Sequence, residues 1–393
     1  MSDYATDGKG QNTMGKKLQP KLRFKGFTDD WEQRPFGKVY TRCTEKNNPI
    51  RFGVDKIITV ASMQYAPRHG CTNNEYLLTY NVMKLGDIAF EGHRNKRFPF
   101  GRFVENMIGE GIVSHVFSVY RPIVKQSSLL FLKYYINNDY VIRNMLRKST
   151  IAATMMRTLV DADLMRQTLT LPSGREQEKI GKLFVDIDNL IDAEKRKLRL
   201  LQERKRSLLK GIFNRTIRFE GFTGVWKQQK LKDEAISISA GGDIDREKLL
   251  PSGRYPVIGN ALSNNGIIGY YANDYEVKGP AVTVTGRGEV GVAKAREMNF
   301  TPVVRLLVIK SLHDSHFLEC AINLHRAPLE STGVPQLTIP IISNYKLLFP
   351  PTLMEEMSIG LLFKHIDSLI AAVFLKIELL NLKKQSLLQQ MFV

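Results

Sequence analysis

The sequence is short of the residues that build staples, metal sites and membrane spans. Its cysteines number three, Cys43, Cys71 and Cys320, far apart and with no CxxC or Cys/His cluster. That pattern argues for reduced thiols and against a structural zinc. The seven histidines are scattered as well; His313 and His316 form an HxxH, but in a polar stretch without further ligands nearby. No unbroken run of 18 apolar residues occurs, so no membrane span is expected. The first 17 residues are polar and lack the apolar core of a signal peptide. Catalytic signatures are missing too. There is no P-loop, and Glu276-Val277-Lys278 supplies the E-x-K of a nuclease without a well-placed strand Asp before it. NNPI (47–50) and FPPT (349–352) lack the aromatic residue that an adenine-methylating NPPY motif needs for stacking.

What is present in excess is positive charge. Lys and Arg outnumber Asp and Glu 57 to 39, a net +18, which favours a polyanionic partner such as nucleic acid. The charge is front-loaded: +11 over residues 1–171, +5 over 172–216, +2 over 217–350 and zero over 351–393. At 393 residues and 43% hydrophobic content the chain can fill two or three ordinary cores.

The chain also repeats itself. RFKGFTDDWEQ (Arg23 to Gln33) returns as RFEGFTGVWKQ (Arg218 to Gln228), with the only two tryptophans, Trp31 and Trp226, in register. PSGREQEKIGKLFVDIDNLIDA, from Pro172, returns as PTLMEEMSIGLLFKHIDSLIAA, from Pro351, and the match runs on to 19 identities over 42 positions. A period near 190 residues is a domain duplication rather than a solenoid. Each half reads as a globular body followed by a long segment.

The long segments are helices by periodicity. Steps of four and three visit Ile180, Phe184, Ile187, Ile191, Glu194, Leu198, Leu201, Lys205, Leu208 and Ile212 in the first. In the second they visit Ile359, Phe363, Ile366, Ile370, Val373, Ile377, Leu380, Lys384, Leu387 and Met391. This is a sustained a/d seam, uninterrupted by Pro and, after Gly181 and Gly360, by Gly except for Gly211 near the end of the first. Helices of such length, roughly 50 Å at 1.5 Å per residue, need a partner for the seam. The other copy is the obvious one, in an antiparallel two-helix coiled coil; an intermolecular coil is the alternative.

The bodies read as mixed α/β (α+β). In the first, 85–90 and 111–122 read as strands and 127–148 as a helix; in the second, 281–285 and 301–311 are strands and 313–326 a helix. GRGEVG (Gly286 to Gly291) fits GxGxxG, but the following segment reaches a proline too soon for a crossover helix. A tight strand-to-strand loop is the better reading. The best candidate contact with nucleic acid is EGHRNKRFPFGR, where His93, Arg94, Asn95, Lys96, Arg97 and Arg102 follow a strand. Arg can fork onto guanine, Asn onto adenine, and Lys neutralises phosphates. The second body's counterparts are Arg287, Lys294 and Arg296. No cofactor or metal site is expected in the chain.

RFKGFTDDWE, LPSGREQEKIGKLFVDIDNLI, their second copies, and GVPQL (333–337) before IPIISNYKLLFPP together resemble the specificity subunit of a type I restriction–modification system. The likeness starts near Pro20. The polar tail at 1–19 has no counterpart in it; the likeness implies target recognition domains at 20–171 and 217–350, joined by conserved coiled-coil helices at 172–216 and 351–393. It further implies recognition of a bipartite site in double-stranded DNA, in the bacterial cytoplasm and away from any membrane. The implied partners are two methylation subunits and restriction subunits, which carry S-adenosylmethionine, ATP and Mg2+. The chain itself would be non-catalytic. The alternatives are a stand-alone DNA-binding regulator dimerising through the coil and a methyltransferase using GRGEVG. At the second helix entry Glu355-Glu356 replaces Glu176-Gln177, which puts equivalent docking there in doubt.

Overall fold

The computed structural model describes residues 18–66, 74–123, 129–153, 156–325 and 336–393. Cys71, most of the N-terminal tail and the first part of GVPQL lie outside the described residues. The chain divides into two compact units, Met1–Ala193 with Ile377–Val393, and Glu194–Lys376. The division cuts both long helices. Each unit therefore combines one body with parts of both helices, where the sequence suggested bodies and helices in simple succession.

Within each unit one four-stranded antiparallel sheet recurs with the same connectivity. In the first unit the order is Tyr40–Cys43, Val119–Pro122, Ile88–Glu91, Arg102–Glu105. In the second it is Ala235–Ala240, Leu307–Ser311, Ala281–Val284, Ala293–Arg296. A second pairing closes each body next to its helix: Glu32–Pro35 with Thr168–Leu171, and Lys227–Lys230 with Lys346–Phe349, both antiparallel. The expected strands 111–122 and 301–311 are each two strands. A turn at Ser114–Phe117 interrupts the first, and a turn at Val303–Leu306 the second. The expected helix 127–148 is also two, Leu129–Ile136 and Asp139–Ser149. Asn138 breaks it by capping the second helix, accepting from the Tyr140 amide.

The conserved repeat segments account for how each body closes. Arg23 grips the buried Glu176 carboxylate with two hydrogen bonds of 2.7 and 2.8 Å, and Arg218 grips Glu355 with the same two distances. Glu176 and Glu355 stand in the first turn of their long helices, where a carboxylate also suits the helix dipole. The clamps are thus equivalent, whereas Gln177 donates to the Pro172 carbonyl and Glu356 instead pairs with His313 and accepts from the Asp314 amide. Each tryptophan packs edge-on against an equivalent phenylalanine, Trp31 on Phe131 and Trp226 on Phe317, both at 6.1 Å. Trp31 also meets Phe392 from the end of the second long helix, and Trp226 meets Phe213 from the end of the first. Each body is therefore packed between the start of one long helix and the end of the other.

The long helices are Gly174–Phe213 and Leu353–Gln390. Every seam position named from periodicity is buried or half-buried. The three polar residues in the seam are all paired across it. Asp188 meets Lys384 at 2.5 Å in the first unit, while Glu194 meets Lys376 and Lys205 meets Asp367, each at 2.5 Å, in the second. Residue numbers rise on one helix as they fall on the other, so the pairing is antiparallel and lies within this one chain. Leu353–Gln390 is also long and apolar enough, by length and composition, to cross a membrane. The lack of an unbroken apolar run therefore does not by itself exclude a span, because the rare charges are spread thinly along this helix.

Candidate nucleic-acid interface

In the first unit the basic segment is the hairpin joining Ile88–Glu91 to Arg102–Glu105. His93, Arg94, Asn95, Lys96 and Arg97 are all exposed on it. Asn95 shapes the loop: its Oδ1 accepts from the amides of Arg97 and Phe98. That oxygen is spent, so Asn95 cannot make the donor-plus-acceptor contact with adenine that its type suggested. Arg97 lies over the Phe98 ring at 5.1 Å.

Arg102 does not belong with them. Its Nε donates to Glu91 at 2.6 Å, its Nη2 donates to the Ala61 carbonyl, and its guanidinium also lies 5.1 Å from the Phe98 ring. Glu91 faces Arg102 directly across the ladder, so the strand register neutralises this arginine. Sequence reading also missed a neighbour. Thr150–Ala152 and Arg157–Leu159 form a second hairpin, and the Arg157 amide donates to the Gly92 carbonyl at 2.7 Å. Arg157 thus sits at the base of the basic loop, its guanidinium over Phe100. Only its place far downstream hid it.

In the second unit GRGEVG joins Ala281–Val284 to Ala293–Arg296, an antiparallel pair in the same position as the basic hairpin. No helix follows it, so the glycines shape a strand-to-strand loop rather than a dinucleotide fingerprint. Arg287 is exposed on this loop. Lys294 and Arg296 are not on it but on the strand beyond. Lys294 pairs with Glu319 at 3.1 Å. Arg296 turns inward, its Nε donating to the Thr283 hydroxyl at 3.0 Å, and burial pulls its pKa down to about 10. Both line a cavity of about 210 Å³ with Thr283 and Thr285. Of the three expected contacts here, only Arg287 stands on the hairpin loop.

The HxxH histidines bind carboxylates. His313 lies between Glu356 (2.8 Å) and Glu234 (2.9 Å), and His316 reaches Glu297 at 3.1 Å. Among the described residues no group of three or more His, Cys, Asp and Glu side chains could hold a metal ion.

Residues 224–386 match the family model of the type I restriction modification DNA specificity domain. A stretch of 131 residues, 32% of the chain, is 28% identical to a Mycoplasma pneumoniae protein assigned as type I specificity subunit S.MpnORF507P, covering 36% of it. A stretch of 163 residues, 39% of the chain, is 30% identical to S.MpnORF285P of the same organism, covering 50% of it. The matched stretches thus span half or less of these curated relatives. The crystal structure of the type I restriction–modification S subunit from M. genitalium shares the fold, with a TM-score of 0.67 at 12% identity over 96% of this chain and 99% of that one. A chain from a structure concerned with complex assembly and conformational transition of the type I R-M system follows at 0.50 and 15% identity, over 92% and 97%. Residues 224–386 are therefore similar to the type I restriction modification DNA specificity domain, in agreement with the likeness to specificity subunits carried by the repeated segments.

Proposed function

We propose that the chain is the DNA-specificity subunit of a type I restriction–modification complex, each unit reading one half of a bipartite site. The observation that carries this reading is the duplication itself. Two bodies of one topology each present an exposed hairpin at the same point of the same sheet, and one of them falls in the specificity-domain match. In this reading the chain supplies address and scaffold and no chemistry. S-adenosylmethionine, ATP and Mg2+ belong to methylation and restriction subunits that join it in the cytoplasm.

A surface for those partners is on the second long helix. Opposite its seam it exposes Met354, Met357, Leu361 and Leu375 in the second unit. Exposed apolar patches of this kind mark interaction sites. We assign this one to partner subunits rather than to lipid, because the other side of the same helix is committed to the seam and its ion pairs.

The test is a graft. Replacing residues 218–350 with the corresponding body of a related specificity subunit, in the assembled complex, should change one half of the methylated DNA motif and leave the other. A motif that is not bipartite, or a graft that alters both halves, overturns the reading.

A further inference from the structure

The second unit holds an arginine in a backbone conformation that arginine rarely adopts. Arg305 has φ +70°, the third residue of a turn closed by the Leu306 amide donating to the Val303 carbonyl at 2.9 Å. Glycine or asparagine is the ordinary occupant of that place, and any other residue persists there only when its surroundings over-determine it. Here they do. Asn260 ties the turn to the base of the GRGEVG hairpin: its Nδ2 donates to the Val304 carbonyl at 3.1 Å and its Oδ1 accepts from the Gly286 amide at 2.8 Å. Gly286 lies so close that a Cβ on it would stand 2.1 Å from the Arg305 carbonyl oxygen. The turn and the hairpin are thus locked together, and Arg305 and Arg287 are both exposed.

Its side chain is posed as well. The guanidinium donates through Nη1 to Oε1 of Gln336, a neutral partner, so the positive charge is oriented but not cancelled. Because an arginine can only donate, the Gln336 atom facing it is the oxygen. What remains for a ligand is mostly donors, the other guanidinium N–H groups and the Gln336 amide nitrogen, beside one unused lone pair on the Gln336 oxygen. The major-groove edge of guanine offers two acceptors, O6 and N7, whereas adenine offers an acceptor beside a donor.

We propose that Arg305, positioned by Gln336, is a specificity-determining residue that reads a guanine in the half-site assigned to the second unit. This rests on the DNA-reading function proposed above. A contact with a phosphate would need neither the strained turn nor the fixed plane, since a point charge on a mobile stem suffices for it.

The experiment is selection from a pool of random duplex DNA by the full chain with its partner subunits, comparing wild type with Arg305→Gly and Arg305→Lys. Arg305→Gly suits the turn and keeps the fold. The wild type should return a bipartite consensus containing a guanine that both variants cease to prefer. The lost discrimination at that position should be roughly 5- to 150-fold, the usual range for a good bidentate contact. The rest of the consensus should hold. An unchanged consensus with Arg305→Gly overturns the assignment and leaves the DNA-reading function standing. So does a preference that Arg305→Lys retains, because the fixed guanidinium plane would then not be what reads the base. No bipartite consensus from the wild type overturns both.

Discussion

The two bodies place the same four strands and the same helix together, yet the acid buried where helix meets sheet comes from a different element in each. In the first unit Ile88 pairs with Tyr120 on one side and Glu105 on the other. In the second Val282 pairs with Ile309 and Ala295, so Ala295 stands where Glu105 does. Two residues beyond the matching phenylalanines, Phe131 and Phe317, the first body has Lys133 and the second has Glu319. The acid comes from the strand in one body and from the helix in the other. Their fates differ. Glu319 is satisfied, accepting from Lys294 at 3.1 Å and from the Ala295 amide at 2.9 Å. Glu105 is buried with neither oxygen hydrogen-bonded by any described residue, and the buried Tyr40 hydroxyl nearby lacks a partner too. Burial pushes the Glu105 pKa up to about 9, against a smaller opposing pull from Lys133. The clamp and the seam are therefore what the duplication keeps in common, and the polar content of the sheet–helix junction is free to differ between bodies.

The largest expected effect tests the common part. Phe184 and Phe363 hold equivalent seam positions and are fully buried, but Phe184 also packs on Tyr134 and Phe392. Phe184→Ala should cost about 3–5 kcal/mol, the usual range for a buried phenylalanine, and more than Phe363→Ala. Denaturant unfolding followed by hydrogen exchange within each unit reads both losses. Equal losses would mean the aromatic contacts of Phe184 add nothing to the shared seam.

Next comes the junction. Between the ordinary carboxyl value of 4.5 and about 9, folded Glu105 keeps a proton that the unfolded chain has released. Stability of the first unit should therefore fall as pH rises through that window, by up to about 1.4 kcal/mol per pH unit. Glu105→Gln should flatten the profile, while Glu319→Gln should not. A wild-type profile that is flat from pH 5 to 9 would remove the distinction between the bodies.

A smaller effect concerns the glycines that let each long helix approach its body. A Cβ on Gly181 would lie 2.8 Å from the Phe131 amide nitrogen, and one on Gly360 would lie 2.0 Å from Asp314 Oδ1 and 3.1 Å from the Phe317 nitrogen. Alanine would stabilise a free helix by about 1 kcal/mol over glycine. Here Gly181→Ala should destabilise, since its nearest obstacles include backbone. Gly360→Ala should destabilise as well, because its closest atom, Asp314 Oδ1, caps the next helix by accepting from the Phe317 amide. A rise in melting temperature with Gly181→Ala would break the argument.

The smallest is confined to the second unit. His313 is raised above its ordinary 6.5 by its hydrogen bond to Glu356 and, against some desolvation, by Glu234. A raised histidine stabilises fully below the unfolded value and loses that contribution as pH climbs through the folded one. The stability difference between wild type and His313→Gln should accordingly shrink from pH 6 to pH 9. A constant difference would mean that the pair acts by packing on Phe349 alone.

Much of this was legible in the sequence. The duplication, the two long helices, the seam and the hairpin nature of GRGEVG follow from spacing, because periodicity and turn chemistry act over a few residues. Internal breaks in the elements were less legible: Asn138 as a cap and the turns at 114–117 and 303–306 interrupt stretches whose apolar pattern runs on. The site was legible in part. Its basic loop announced itself, but Arg102 lies opposite Glu91, Lys294 is taken by Glu319, and Arg296 faces inward.

Local pattern alone determined that the chain builds two similar bodies and two long helices with one sticky edge each. Tertiary structure decided which residues meet from far apart. Arg23 and Glu176 are 153 positions apart, Arg218 and Glu355 137, and Arg305 and Gln336 31. The physical reason is that helix and strand periods are repeated at every turn and so can be read from any short window. An ion pair, a buried acid or a posed arginine depends instead on which surfaces come to face each other, and a single residue in the chain carries no trace of the partner that will stand opposite it.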